Sequence, residues 1–354
     1  MKITKLNLSN FMAFNHIDTE FSPNLNIICG ENSTGKTALI KLLYACVKGY
    51  SNAQNTKGDL TKEKLDYSLV SKLKGVFRPD KDTIGRLVNR RQGSNRAEIM
   101  LNFSCGNSLH IGFGNRHEKH IDIKSDPIPF PVTASAVYIP PKVIFSSTEN
   151  FVSLYDDYHI AFEETYYDLA RLLERPLKKG ANTKEQNAVI KSFGDIVNGS
   201  IVQKDNVFYL KVKGAGEFEM GLVSEGYRKL TTIMYLILSG SLSKNSILFW
   251  DEPETNMNPK MIQPMVDAIV ELAKLGVQVF VTTHDYFIQQ CFAMALTYGE
   301  AKKIPLDCSF ISLHRTDNGI ELQSAKTLFD LPHNPVMEEF DNLYDREQRL
   351  LYGD

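Results

Sequence analysis

The sequence predicts an α/β fold, with a β-rich first lobe and an α/β second lobe separated by a helical insertion. Three observations carry that prediction. Residues 2–29 and 97–124 contain short runs of alternating apolar and polar residues, the period of half-buried strands. Residues 151–173 change to apolar residues every three or four positions, the helical period. From about Glu225 onward strand-like and helix-like segments alternate, as in a parallel sheet crossed by helices.

Size and composition agree with this. At about 150 residues per domain, 354 residues make two domains or one large domain with an insertion. Lys and Arg number 40 against 42 Asp and Glu, and 23% charged with 43% hydrophobic residues is ordinary globular composition, which excludes a disordered or strongly basic chain. The global charge gives nucleic-acid binding no support, although a local basic stripe stays open. Cys29, Cys46, Cys105, Cys291 and Cys308 are odd in number and contain no C-x-x-C pair, so buried thiols in a reducing cytosol are expected. The N-terminus reads as a strand rather than a signal peptide, and no window holds 18 uninterrupted apolar residues. The expectation is a soluble, cytoplasmic protein.

Lobe I, residues 1–150, opens with strands in KITKLNLSNF, HIDTEF and NLNIIC. One helix follows, with Ala38, Leu39, Ile40, Leu42, Leu43 and Cys46 on its apolar face, and AEIMLNF, SLHIGFG and HIDIK then read as antiparallel strands. The helical insertion spans 151–198: Phe151, Leu154, Tyr158, Phe162, Tyr166, Leu169 and Leu173 predict one helix that Pro176 and KKGANTKEQ terminate. Lobe II, residues 199–330, carries VFYLKVK, a hairpin at Gly214–Gly216, a helix from about Glu225, and the strand SILFWD. It continues with a helix over Pro259–Leu275, the strand VQVFVTT, a helix from His284, and the strands LDCSFISLHR and GIELQSAK. Residues 331–354 read as an amphipathic helix. No internal repeat or long heptad run is present.

The most specific feature is GENSTGKT at 30–37, which fits G-x-x-x-x-G-K-[ST] and lies between an apolar strand and a helix, the context that a phosphate-binding loop requires. Glycines at 30 and 35 let the backbone wrap phosphates, and the helix start offers unpaired N–H groups. Lys36 can reach β and γ phosphates, and the Thr37 hydroxyl can ligate Mg²⁺. The nucleotide-binding stretch is therefore Gly30, Glu31, Asn32, Ser33, Thr34, Gly35, Lys36, Thr37 and Ala38. ILFWDE at 247–252 is a buried strand ending in two carboxylates. Asp251 suits a direct or water-mediated Mg²⁺ contact, and Glu252 is placed to polarise the attacking water as a general base.

With these residues in hand the chain resembles the ABC-class ATPase heads, in the SMC, RecF and OLD branch, and most closely the OLD-like anti-phage defence ATPases. The resemblance rests on GENSTGKT, the signature-like SEGYRK at 224–229, DEPETNMNP at 251–259 and TTH at 282–284, in that order. It implies an ABC-type P-loop head that binds ATP and Mg²⁺ and forms a sandwich dimer. In such a dimer Ser224 and Gly226 serve the γ phosphate held by the opposite subunit. It also implies that His284 is a γ-phosphate switch, and that Glu254, Thr255, Asn256 and Met257 form a loop crossing the dimer interface. There are three departures from the family pattern. Met12 stands where an arginine is frequent, Lys142 and Val143 follow YIPP where a glutamine or glutamate would help hold Mg²⁺ and water, and Asn258 replaces a frequent histidine.

Weaker features keep two readings. His117 and His120 have H-x-x-H spacing without a third ligand nearby in sequence and are read as a solvated turn. Arg86, Arg90, Arg91 and Arg96 form either a solvated loop or a contact for nucleic acid or an acidic partner. The aromatic helix at 151–173 is core or a partner-binding face. Phe340, Leu343, Tyr344, Leu350 and Leu351 form a stripe that docks on the body or on another subunit.

The chain ends about 70 residues after His284, too short a stretch for the TOPRIM nuclease of OLD proteins, and no long SMC-like arm interrupts it. The expected function is thus an ATP-hydrolysing dimeric head that controls a separate effector, a nuclease or toxin, in the manner of Septu or PARIS ATPase subunits. The alternative is a RecF-like DNA-binding repair ATPase. A transporter subunit is disfavoured by SEGYRK and by the opening strands with SNF.

Overall fold

The computed structural model describes all residues except 92, 94–95, 131–134, 143–150, 159, 205–206, 299–305 and 354. Its fold is mixed α/β of the ABC-head type expected from the sequence. The first sheet is antiparallel and built from β1 (Ile3–Phe11), β2 (Phe14–Glu20), β4 (Arg96–Phe103), β5 (Ser108–Gly114) and β6 (Asp122–Ile123), in the order β2-β1-β4-β5-β6.

The second sheet has six strands. Its members are β3 (Leu25–Gly30), β7 (Ala136–Ile139), β11 (Ile247–Asp251), β12 (Gln278–Thr283), β13 (Cys308–Thr316) and β14 (Gly319–Ala325), in the order β14-β13-β3-β12-β11-β7. All neighbours are parallel except the β13–β14 pair. Strands β3 and β7, from the first 150 residues, are therefore integral to the sheet that holds the later strands. A small sheet of β8 (Gly199–Lys204), β9 (Val207–Val212) and β10 (Gly216–Glu219) completes the β structure of the described residues.

The large sheet is buried on both faces, which explains why β3, β11 and β12 are buried at every position and mostly apolar rather than alternating. Alternation still decides which core each side chain joins. Phe249 and Phe280 pack on the side of α1 (Lys36–Gln54), with Leu39 and Leu43. Trp250, Val279 and Val281 face α6 (Glu225–Leu238), α7 (Pro259–Lys274) and α8 (Tyr286–Tyr298). Each such fully buried apolar side chain contributes about 1.5–3 kcal/mol.

Three elements differ from expectation. The first lobe holds a second helix, α2 (Lys62–Phe77), capped by the Thr61 side chain, which accepts from the Lys64 N–H at 3.3 Å. Its Leu65, Leu69, Leu73 and Val76 are buried at helical spacing against α1. The single helix expected over 151–173 is two, α3 (Phe151–Tyr158) and α4 (Glu164–Leu173). Between them residues 160–163 are non-helical, and Glu163, the extended N-cap of α4, reaches Lys41 Nζ with its carboxylate at 2.7 Å. KKGANTKEQ does not only terminate a helix. Thr183 and Gln186 within it form a capping box that starts α5 (Lys184–Ile196). The last helix, α9 (Pro335–Tyr352), buries none of its residues, and its apolar stripe touches the body through Phe340 stacked on Tyr286. No described helix is long and apolar enough to cross a membrane.

Candidate functional site

Strand β3 ends in Gly30, where a Cβ would lie 2.3 Å from the Leu313 carbonyl oxygen and φ is +149°. The chain then turns through Ser33 at φ +64° and Gly35 at φ +92°. A Cβ on Gly35 would lie 2.6 Å from the Phe14 ring, so both glycines are required by space as well as by conformation. Helix α1 begins at Lys36 with no side-chain cap and no acidic residue in its first turn, which leaves its N-terminus suited to an anion. Thr34 donates its hydroxyl to the Glu31 carbonyl at 2.8 Å. Glu31, Asn32 and Ser33 are exposed on the loop, and Ala38 is half-buried in the first helical turn.

The Lys36 side chain is buried and donates to the carbonyl oxygens of Gly30 and Glu31, both at 2.7 Å. Burial lowers its pKa, an effect opposed by the charges of Glu252, Asp251, Cys29 and Glu254.

Asp251 closes β11 and is fully buried. Its Oδ1 accepts from the hydroxyls of Thr37 at 3.1 Å and Thr282 at 2.5 Å, and its Oδ2 from Tyr138 at 3.0 Å. Burial raises its pKa, the three hydroxyls oppose the rise, and the Glu252 charge adds to it. Glu252 adopts a left-handed φ of +47°, and its N–H donates to the carbonyl and the hydroxyl of Thr282. That turn aims its carboxylate at His284, whose Nδ1 lies 2.9 Å from Oε1. The sheet register explains the convergence: Asp251 pairs with Thr282, and Thr283 with Cys29, so the three motifs lie on the C-terminal edge of adjacent strands.

The glycine loop, Lys36, Thr37 and Glu252 border a cleft of about 450 Å³, with Asp251 buried behind Thr37. Asn32, Ser33, Gly35, Lys36, Thr37 and Ala38 form one wall and Glu252 lies at its end. Met12, Ala13, Val76 and Phe77 supply apolar surface, and the Lys41–Glu163 pair completes the lining. A larger hollow of about 690 Å³ lies between α5, α7 and α8 and shares no residue with this cleft. The glycine cradle fits phosphate, and the Thr37 hydroxyl beside the Asp251 carboxylate is a hard oxygen pair of the kind that Mg²⁺ takes together with phosphate oxygens.

Tyr138, Thr282, Lys41, Glu163, Val76 and Phe77 were not singled out from the sequence. Tyr138 and Thr282 sit in the quoted YIPPK and TTH stretches, but their contact with Asp251 is a long-range one that only the sheet order produces.

Ser224 is the N-cap of α6, exposed, with no capping hydrogen bond from its side chain. Gly226 is buried, and a Cβ there would lie 3.5 Å from Met257. Neither is among the described residues that line the cleft. Asn256 Nδ2 donates to Glu225 Oε2 at 2.8 Å, tying the loop after Glu252 to the start of α6. Thr283 donates to Glu254 Oε1 at 2.5 Å, while Oε2 is buried without a hydrogen-bond partner. Burial pushes the Glu254 carboxyl up to about 7.

Lys142 is exposed after β7, and Val143 lies outside the described residues. Asn258 caps α7 through its side chain. His120 pairs with Asp66 at 2.7 Å and His117 accepts the Gly114 N–H, so they hold a turn. Among the described residues no group of three or more His, Cys, Asp or Glu is arranged to hold a metal by itself. The arginine cluster divides. Arg96 is paired with Glu98 and Asp122, whereas Arg86, Arg90 and Arg91 line a concavity of about 330 Å³ with Asn89 and Asn115.

Known proteins share these features. The fold matches an SMC head bound to the C-winged helix domain of ScpA, with TM-score 0.57 and 14% identity over 93% of this chain and 99% of that one. It also matches the Smc head with an extended coiled coil bound to the C-terminal domain of ScpA from Pyrococcus furiosus, with TM-score 0.54 and 11% identity over 98% and 99%. In sequence, the structural maintenance of chromosomes protein 6 of Dictyostelium discoideum is 31% identical over 97 residues, 25% of this chain and 8% of that protein. The DNA replication and repair protein RecF of Lacticaseibacillus casei is 29% identical over 101 residues, 28% of this chain and 24% of that one. The matched stretch thus spans about a quarter or less of these curated relatives. The family described as "AAA domain, putative AbiEii toxin, Type IV TA system" matches residues 55–288, about two thirds of the chain. The protein therefore belongs to that AAA-domain family and has the fold of the SMC heads.

Proposed function

We propose that this chain binds and hydrolyses ATP with Mg²⁺ in the cytoplasm, as one half of a sandwich dimer. In this reading it controls a separate effector, a nuclease or toxin, in OLD-like anti-phage defence. The observation that supports the ATPase reading best is the convergence of Lys36, Thr37 and Glu252 at one cleft, with Asp251 behind it on the Thr37 hydroxyl and His284 on the Glu252 carboxylate. Bound Mg-ATP would supply the phosphoanhydride and the cation that neutralises its charge. The glycine loop and the α1 N-terminus would cradle the phosphates, and Lys36 would turn from the loop carbonyls to the β and γ oxygens. Thr37 and Asp251 would hold Mg²⁺, and Glu252, oriented by His284, would take the proton of the attacking water. The dimer reading draws on the unengaged Ser224 hydroxyl, which lies apart from the lining of its own chain's cleft. The effector reading draws on the motif resemblance of SEGYRK and DEPETNMNP.

Mixing variants tests it. Lys36→Ala loses a charge-assisted phosphate contact and should weaken ATP binding by about 100-fold. Glu252→Gln should bind ATP yet lose about 10²- to 10⁴-fold in turnover. Lys36→Ala and Ser224→Arg chains, each inactive alone, should regain partial ATPase activity when mixed, because one composite site is then intact. Absence of complementation, together with no Mg-ATP-dependent crosslink between cysteines placed near Ser33 and Ser224 of different chains, would contradict the sandwich. Copurification of a nuclease or toxin would support the effector reading.

A RecF-like DNA-binding ATPase is the second reading. It is favoured by the concavity bearing Arg86, Arg90 and Arg91 and by the RecF relatives. Salt-dependent DNA affinity that falls on Arg90→Glu would support it, and affinity for the effector alone would not.

A further inference from the structure

The inference concerns Lys229, which lies on α6 five residues after Ser224 and is fully buried. Its Nζ donates to the carbonyl oxygens of Thr255 at 2.7 Å and of Glu252 and Pro253 at 3.3 Å each. No ion pair to a carboxylate accompanies these three bonds among the described residues. A desolvated ammonium costs several kcal/mol unless its donors are satisfied, and here backbone alone satisfies them.

The three acceptors belong to one turn, 252–255, which begins with Glu252 in a left-handed conformation and contains a proline that cannot donate. Inside the turn the Thr255 N–H returns to the Glu252 carbonyl at 3.2 Å, and the Thr255 hydroxyl donates to the Glu252 carboxylate at 3.4 Å. An ammonium carries three donors on one nitrogen, so a lysine suits this cluster of carbonyls, where an apolar residue would take a donor from all three and leave Glu252 only the Thr255 N–H.

We propose that Lys229 is a positioning residue for ATP hydrolysis: it fixes the turn that aims the Glu252 carboxylate into the cleft and ties that turn rigidly to the signature helix. This rests on the ATPase reading above. The tie has a direct consequence for a sandwich dimer. In that dimer Ser224 serves the partner's nucleotide and Glu252 serves the chain's own, so Lys229, five residues from Ser224 and hydrogen-bonded to the Glu252 turn, is a short path by which occupancy of one site sets the base of the other. The Asn256–Glu225 hydrogen bond lies on the same path at the surface.

Lys229→Met removes the three donors at nearly constant volume, and Lys229→Arg retains charge and some donors. The expected result is an ATP dissociation constant within threefold of wild type, with kcat down about 10- to 100-fold for Lys229→Met and less for Lys229→Arg. In the Glu252→Gln background Lys229→Met should cause no further loss, since both act on one group. Amide exchange at Thr255 and Met257 should quicken at least tenfold in Lys229→Met. Turnover of Lys229→Met within twofold of wild type, or losses that multiply in the double variant, would overturn the role in hydrolysis. Unchanged amide exchange in either variant would overturn the tie itself, even if wild type fails to hydrolyse ATP, a failure that would sink the ATPase reading separately. Where Lys229→Met does not fold, the same cycle and exchange measurement on Lys229→Arg decide.

Discussion

Replacing Glu254 by Gln should remove a pH dependence of stability that can be sized from the structure. The carboxyl is nine-tenths buried, one oxygen accepts from Thr283, and the other has no partner. Burial pushes it from an ordinary 4.5 to about 7. Below about pH 4.5 it is protonated in both folded and unfolded chains and costs nothing. Between there and about 7 the folded state keeps a proton that the unfolded state has released, so stability falls as pH rises. Above about 7 the full penalty is present. At 1.36 kcal/mol per pH unit that penalty is about 3 kcal/mol. Glutamine keeps an acceptor for Thr283 and does not titrate. Denaturant midpoints of both proteins at pH 5, 6, 7 and 8, without nucleotide, should show the difference in unfolding free energy moving in favour of Glu254→Gln by about 1.4 kcal/mol per unit up to pH 7, then levelling. A difference that stays flat across that range would refute the assignment of a proton to Glu254 in the fold.

Two further outcomes follow from buried contacts. Lys72 on α2 is buried between Glu164 at 2.5 Å and Asp168 at 2.8 Å, so Lys72→Met strands two carboxylates and should destabilise by about 3–5 kcal/mol, read as a lower melting temperature. Adding Glu164→Gln and Asp168→Asn should recover much of the loss. Gly35→Ala puts a Cβ within 2.6 Å of Phe14 at a left-handed φ, and should weaken ATP binding at least tenfold by titration calorimetry while leaving the fold intact by circular dichroism.

What could be read without the structure was whatever depends on local chemistry. The glycine loop at 30–37 was legible because its glycines are demanded by the turn itself, and the paired carboxylates because a buried strand tolerates them only at its end. The amphipathic spacing of α2 was equally local, yet Lys72 sits on its buried face, and a lysine there makes a core stripe read as solvated surface. The break before Glu163 interrupts an unbroken apolar period, and the contact that Glu163 makes there, with Lys41 more than 100 residues away, is tertiary and invisible to spacing. Tyr138 on Asp251 and Lys229 under the 252–255 turn depend on residues more than 20 positions apart, and no spacing rule encodes them. The strands and helices of the second lobe follow their periods because each lies against a continuous apolar core.

The neighbours of β3 carry a consequence for how the chain matures. This fully buried strand, at 25–30, is synthesised well before its two partners, β12 at 278–283 and β13 at 308–316. Its backbone groups and the mostly apolar LNIIC run therefore stay unpaired until those strands emerge, a non-local closure that slows folding and invites misassociation. Because the phosphate loop hangs from the end of β3 and the acidic edge from β11, nucleotide has no site until the centre of the sheet has closed. ATP can then stabilise only finished molecules, so nucleotide protection against proteolysis would count completed heads in a translating population.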